Sequence, residues 1–185
     1  MPMSVTIVDQ NNNPLGTDTP ITTGGLTSRP SSVKSRPANT TQYALYDLVA
    51  NNATAGNVSP FQWTVGNGRG GRIFGCTVFK TGTSVVNTLF RLHLFSALPT
   101  VTNGDNATLV PVGASRIGTL DINVDLACSD GAVGDGEPTY RAYVPFDQDT
   151  DIVYGLLEAR AAYAPASGIN GSGEAITIYL DVDGN

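Results

Sequence analysis

The chain has 185 residues, of which 41% are hydrophobic and 14% are charged. This length and apolar content are typical of one folded domain and exclude a disordered chain. The formal net charge is −6 and the few Lys and Arg residues form no basic stripe, so we expect no contact with nucleic acid or with an anionic membrane.

Neither a transmembrane helix nor a secretory signal is predicted. The apolar runs fall short of the roughly 18 residues that a membrane span needs. The first residues, MPMSVTIVDQNNN, lack a charged start followed by an apolar core. We therefore expect synthesis in a cytoplasm.

Residues 1–34 differ in composition from the rest of the chain, because Pro, Gly, Asn and Thr dominate them. Such a segment cannot build a core by itself. We predict an extended N-terminal arm over residues 1–34 that becomes ordered on the sheet edge of a neighbouring subunit; a flexible tail is the alternative. Residues 35–185 are the predicted β-sandwich domain.

From residue 41 onward, apolar or alternating segments are separated by clusters of Gly, Asn and Ser. The spacing predicts an all-β domain, a jelly-roll-like antiparallel β-sandwich of about eight strands. Segment 154–163 contains many helix formers, but its context favours a strand. The candidate strands are 43–49, 61–65, 72–80, 88–95, 116–126, 139–145, 152–163 and 175–182.

Strict alternation marks the inward faces of three candidate strands. In residues 89–95, Phe90, Leu92 and Leu94 share one face, and in residues 175–182 the even positions are all apolar. Because side chains alternate across a strand, these positions are predicted to face the core. A third set of inward positions is Leu120, Ile122, Val124 and Leu126.

The residues most often used in catalysis form no recognisable motif. His93 is the lone histidine and falls on the polar face of a strand, so we predict an exposed or hydrogen-bonded strand histidine. Cys76 and Cys128 have no CxxC neighbour, which favours buried free thiols over zinc ligands or a disulfide. We predict no catalytic residue, no cofactor and a protein that is not an enzyme; a glycosidase would need two facing carboxylates in a groove.

One acidic segment has the spacing of calcium ligands. Asp147, Asp149 and Asp151 alternate as in the start of a Ca²⁺ loop, but the glycine and glutamate that complete an EF-hand are missing. A solvated acidic turn is the favoured interpretation. A second acidic segment, rich in glycine and predicted to be a loop, contains Asp130, Asp135 and Glu137.

Aromatic residues offer a possible sugar-binding surface. Phe61 and Trp63 are two residues apart and share a strand face, and Tyr43 with Tyr46 could add to them. Flat aromatic rings stack on sugars in β-sandwich lectins, although core packing is the commoner use of such a pair.

Residues 35–49 read SRPANTTQYALYDLV. This segment resembles one that recurs in structural proteins of tailed bacteriophages: an Arg-Pro pair, a Thr, a Tyr, and an Asp followed by two aliphatic residues. A glycine often precedes that aspartate, and Tyr46 stands there in this chain. The pattern is carried by Arg36, Pro37, Thr41, Tyr43, Asp47, Leu48 and Val49.

The resemblance implies a virion structural protein similar to jelly-roll capsid decoration (cement) proteins. Such a protein would be made in the host cytoplasm and would sit on the capsid exterior. Its partners would be the major capsid protein, whose subunits it bridges, and copies of itself in a dimer or trimer. The alternative is a carbohydrate-binding β-sandwich module of a phage tail or fibre, for which Phe61 and Trp63 would form the glycan platform.

Overall fold

A computed structural model describes residues 26–65, 70–110, 115–147, 149–166 and 173–184. Within these ranges the chain forms strands and one short 3-10 turn, Ala55–Asn57, and no helix long and apolar enough to cross a membrane. The predicted all-β class is confirmed. The strands are β1 Leu26–Ser28, β2 Ser31–Ser35, β3 Leu48–Val49, β4 Phe61–Thr64, β5 Gly71–Lys80, β6 Leu89–Phe95, β7 Arg116–Ala127, β8 Ala132–Pro138, β9 Val144–Phe146, β10 Ile152–Ala159 and β11 Ala175–Gly184.

The strands form one antiparallel sheet with the order β1-β11-β5-β8-β7-β6-β10-β3, and β2, β4 and β9 pair with β11, β10 and β5. The two ends of this sheet meet. Gln62 N in β4 donates a hydrogen bond of 3.0 Å to Ser32 Oγ in β2, and Trp63 Nε1 donates one of 3.0 Å to the Ile178 carbonyl in β11. The sheet therefore curls around a main core, beside a smaller apolar cluster that contains Leu48, Phe95 and Leu156. The fold is β-sandwich-like as predicted, with eleven strands among the described residues instead of about eight.

The core is built by the alternation that the sequence predicts. Phe90, Leu92 and Leu94 of β6 are buried, and so are the even positions of β11 from Ile176 to Val182. In β7, alternation holds as far as Val124. Leu126 was expected to face the core and is instead 59% exposed, because the register of β7 against β8 shifts between Val124 and Leu126. Such a bulge turns the following side chains to the opposite face.

Strand β8 corrects the sequence prediction for two segments. The predicted strand 139–145 is wrong over most of its length, since the strands are β8 and the short β9 and the chain turns between them. Asp135 and Glu137 lie within β8 and not in a loop. Glycine is required in β8, because a Cβ at Gly134 would lie 2.1 Å from the Asn123 carbonyl oxygen. Glycine-rich sequence is depleted in strands in general, which made β8 resemble a loop.

The N-terminal part of the described chain belongs to the sheet. Residues 26–34, the end of the predicted arm, contribute β1 and most of β2, and both strands pair with β11 of the same chain. Residues 1–25 lie outside the described residues. The candidate strand 43–49 is reduced to β3, and the ambiguous segment 154–163 is a strand as far as Ala159.

Candidate functional site

The segment that carries the resemblance, residues 35–49, crosses the place where the two ends of the sheet meet, which we call the seam. It leaves β2 beside the start of β11, where Arg36 N donates a hydrogen bond of 2.9 Å to the Glu174 carbonyl. Tyr43 N donates a bond of 2.9 Å to the Tyr163 carbonyl beyond the end of β10, and Tyr46 N donates one of 2.8 Å to the Ala159 carbonyl in β10. The segment ends in β3, which pairs with β10. The segment therefore ties the two ends of the sheet together.

Arg36 and Tyr43 form the first half of a buried polar network at the seam. Arg36 Nε donates to Tyr43 Oη, the guanidinium lies 4.7 Å from the Tyr43 ring centroid, and both residues are buried. Tyr43 Oη donates a bond of 2.6 Å to Asp105 Oδ1, which also accepts one of 2.8 Å from Ala50 N. Burial raises the pKa of Tyr43 far above its ordinary value, so the hydroxyl keeps the proton that it donates.

Lys80 and Glu174 form the second half of the network. Lys80 Nζ donates to Glu174 Oε1 at 3.0 Å and to the Gly82 carbonyl at 2.8 Å, and neither charged side chain has any exposed surface. Tyr163 Oη donates to the other oxygen of Glu174. The rings of Tyr163 and Tyr43 stack with centroids 5.9 Å apart, which joins the two halves.

The six residues of this network, which we call the seam lock, balance their charges. Two cations face two carboxylates, and two neutral phenols lie between them. Burial lowers the pKa of Lys80 and raises that of Asp105, and the opposite charges beside them counter both effects. Buried ions without partners would be very costly, so loss of any one charged member should destabilise the fold. The members of the seam lock are Arg36, Tyr43, Lys80, Asp105, Tyr163 and Glu174.

Asp47 fixes a tight turn before β3. Its Oδ2 accepts a hydrogen bond of 2.6 Å from Ala44 N, and the preceding Tyr46 has φ of +76°. This left-handed conformation suits glycine far better than tyrosine, which gives a physical reason for the glycine expected before the aspartate. Among the other residues of the motif, Leu48 and Val49 are buried, whereas Pro37 is half-buried and Thr41 is exposed.

His93 is a hydrogen-bonded strand histidine, one of the two predicted outcomes. It is 5% exposed on the outer side of β6, and its Nε2 lies 2.6 Å from Glu158 Oε2 on β10. Arg160 Nη1 donates a bond of 3.0 Å to the other oxygen of Glu158. Burial alone would raise the pKa of Glu158, but the hydrogen bonds from His93 and Arg160 hold it below its ordinary value. The imidazole is thus engaged in a structural pair.

The calcium hypothesis receives no geometric support. Asp147, Asp149 and Asp151 are all exposed. In the part of the chain that the structure describes, no group of three or more His, Cys, Asp or Glu side chains comes together in a way that could hold a metal ion. The segment is a turn closed by a 2.9 Å bond from Thr150 N to the Asp147 carbonyl.

The prediction that Phe61 and Trp63 form a glycan platform is wrong. Phe61 is 3% exposed and Trp63 is 1% exposed; their rings stack on each other with centroids 5.7 Å apart inside the core. A ring must be exposed to stack on a sugar. Tyr43 is buried in the seam lock, and Tyr46 alone of the four aromatic candidates is exposed.

The cysteines are free thiols, as favoured from the sequence. Cys76 is buried, and burial with Asp181 and Asp135 nearby raises its pKa to about 12. Cys128 is only partly buried.

Of the six residues of the seam lock, the sequence pattern pointed to Arg36 and Tyr43 and missed the other four. Lys80, Asp105, Tyr163 and Glu174 lie far apart in the chain and belong to no local pattern. No protein-family model and no curated protein matches this chain. The functional argument therefore rests on the residues themselves.

Proposed function

We propose that this chain is a structural protein of a bacteriophage virion, which decorates the capsid exterior and stabilises the shell by bridging major capsid subunits. The observation that carries the proposal is the seam crossing. The motif residues that resemble phage structural proteins act as one structural unit: Arg36 and Tyr43 anchor it, Asp47 turns it, and Leu48 and Val49 join it to the sheet. A resemblance scattered over unrelated surface positions would not support the proposal in this way.

The use of charge in the interior also supports a structural role. The buried charges lie in pairs, Arg36 with Asp105 and Lys80 with Glu174, and His93 is hydrogen-bonded to Glu158. These pairs join different elements of the sheet, although both terminal nitrogens of Arg36 and Nδ1 of His93 have no hydrogen-bond partner among the described residues. A decoration protein needs a rigid domain of this kind, because it must transmit strain between the subunits that it bridges.

The carbohydrate-binding alternative loses its basis once Phe61 and Trp63 are buried. A lectin-like function would need a different set of exposed aromatic rings.

Capsid binding can be tested with the full chain. Capsids and tails purified from the encoding phage, grown without this protein, are each mixed with the purified chain and sedimented. We expect saturable binding to capsids at a fixed ratio to the major capsid protein, and capsids that withstand higher temperature before disruption. Binding to tails and not to capsids, or to neither, would overturn the proposal.

The arm hypothesis has its own test. Deleting residues 1–25 removes most of the predicted arm but keeps β1 and β2, which belong to the sheet. We expect the shortened chain to retain the fluorescence of buried Trp63 and to lose affinity for capsids. Undiminished binding would show that the arm is not the docking element.

A further inference from the structure

The sheet opens into a cleft between β7 and β9. The last backbone bond that links the end of β8 to β7 runs from Thr139 N to the Thr119 carbonyl at 3.0 Å. The chain then turns outward and returns as β9, which pairs with β5. The first residues of β7 therefore face β9 across a cleft of about 250 Å³, and Arg116, Tyr140, Arg141 and Tyr143 stand around it.

The arginines of the described residues that have no carboxylate partner lie in or beside this cleft. Among the described residues, Arg72, Arg116 and Arg141 form no ion pair. The latter two line the cleft, and the Arg72 guanidinium lies 4.8 Å from the centroid of the Tyr143 ring at its rim. Asp183 is opposite Arg72 in the pairing of β5 with β11, yet the two side chains do not form an ion pair within 4.0 Å. We call this surface the arginine cleft.

Aromatic side chains complete the arginine cleft. Tyr140 is 81% exposed, and Phe74 is 43% exposed and packs edge-on against Tyr143 with centroids 6.1 Å apart. Arginine and tyrosine are the residues most enriched at the centres of protein interfaces. An exposed group of this composition, on a chain with a net charge of −6, suits an acidic protein surface. It suits nucleic acid less well, because so few cations give no track along a phosphate backbone.

A suitable acidic surface lies beside the arginine cleft on the same chain. Strand β9 leads from the arginine cleft, which Val144 lines, directly to Asp147, the residue that follows Phe146. Asp147 begins the acidic turn, whose three exposed aspartates form no ion pair among the described residues. At about 3.3 Å per residue, Asp147 lies roughly 13 Å from Tyr143. That separation fits well inside a standard interface patch of about 800 Å² per partner. The aspartates of the acidic turn are Asp147, Asp149 and Asp151.

We propose that the arginine cleft of one copy docks the acidic turn of a second copy, in a two-fold symmetric dimer. Under a two-fold axis the same patch meets itself, so cleft meets turn twice and both charge groups are neutralised together. The dimer deepens the proposed function, in which a shell component contacts copies of itself. It is measured on the free chain, so its failure would leave capsid binding untouched.

Charge reversal tests the proposal with two variants, one of the arginine cleft and one of the acidic turn, and each variant serves as the control for the other. Sedimentation equilibrium is measured for the wild type, for R116E/R141E and for D147K/D149K/D151K, with buried Trp63 fluorescence as the check of folding. We expect a wild-type dimer that weakens in high salt. Each variant alone should dimerise at least about tenfold more weakly. An equimolar mixture of the two variants should form a heterodimer, because the reversed cleft then meets the reversed turn in one contact and the native cleft meets the native turn in the other, so both contacts join opposite charges.

The control is K34E, which reverses a positive charge on β2 that contacts Ser59, away from the arginine cleft, and should leave the dimer intact. Three results would overturn the proposal. They are a wild type that stays monomeric up to about 1 mM, the weak end of specific association; dimers that persist in both variants; and a mixture of variants that remains monomeric.

Discussion

Replacing Glu174 by glutamine should destabilise the fold more than any conservative change at the surface. Lys80 Nζ lies 3.0 Å from Glu174 Oε1 with both side chains fully buried, so the change leaves a buried ammonium without its counter-charge. Removing one partner of a buried pair costs about 3–5 kcal/mol. Relaxation would be limited, because a Cβ at Gly82 would lie 1.9 Å from that carboxylate oxygen, which shows how tightly the backbone encloses it.

The loss of stability in Glu174→Gln arises from breaking the Lys80–Glu174 pair and not from the removal of the Glu174 charge by itself. Lys80→Met combined with Glu174→Gln removes both charges, and replacing a buried pair by groups of similar volume is often close to neutral. The double variant should therefore be more stable than the sum of the single losses predicts, by more than about 2 kcal/mol. The Tyr163 hydroxyl can still donate to the amide oxygen of the substituted side chain.

Urea unfolding followed by tryptophan fluorescence measures these effects directly, because Trp63 is the single tryptophan and is buried. The matched control is Asp181→Asn, which breaks the exposed ion pair with Arg29 and should cost less than about 1 kcal/mol. A Glu174→Gln loss as small as that of the control would refute the argument. So would strict additivity of the Lys80 and Glu174 changes.

Three smaller predictions concern single residues. Tyr46→Gly should hold or raise the melting temperature and Tyr46→Val should lower it, because φ of +76° costs an L-residue roughly 1 kcal/mol; thermal melts that rank them the other way would contradict this. At pH 8 a thiol reagent should label Cys128 rapidly and Cys76 only after unfolding, because burial raises the pKa of Cys76 to about 12; equal labelling rates in the native protein would be inconsistent with it. The lowered pKa of Glu158 means that its carboxylate stabilises the fold above the unfolded pKa of 4.5 and that this contribution is lost as the pH falls through the folded value. The stability gap between wild type and Glu158→Gln, measured in urea, should therefore be wide at pH 7 and should narrow as the pH falls below 4.5 and through the folded pKa, and a gap independent of pH would exclude the mechanism.

The strands whose pattern is local were predictable from the sequence. β6, β7 and β11 alternate apolar and polar residues, and their inward faces are as expected up to the bulge after Val124. A bulge depends on the pairing of two strands, so one strand's sequence cannot reveal it. Strand β8 was missed for a related reason. The residue at position 134 must be glycine because the Asn123 backbone of β7 leaves no room for a Cβ, and this contact exists only once the two strands pair.

The candidate site divides in the same way. The residues of the seam crossing stood out because they lie within one short segment, whereas Asp105 and Glu174 come from a loop and from the residue before the last strand. Charged groups in such places are usually solvated, and nothing local marks these two as buried. Phe61 and Trp63 illustrate the opposite error: their shared face was predicted correctly, but a strand has two faces, and composition does not say which one meets water.

The seam lock gives individual residues of the Arg-Pro segment distinct places in the fold. Arg36 follows β2 directly, Tyr43 bonds to the Tyr163 carbonyl beyond the end of β10, and Asp47 turns the chain into β3. The buried Arg36 guanidinium and Tyr43 hydroxyl both need a buried carboxylate nearby, and Asp105 provides it. A protein that uses the same segment for the same purpose must therefore provide a second, distant acidic residue at the seam. A chain with this segment but without a carboxylate at the position of Asp105 would bury a guanidinium without a counter-charge, which would greatly lower the free energy of unfolding.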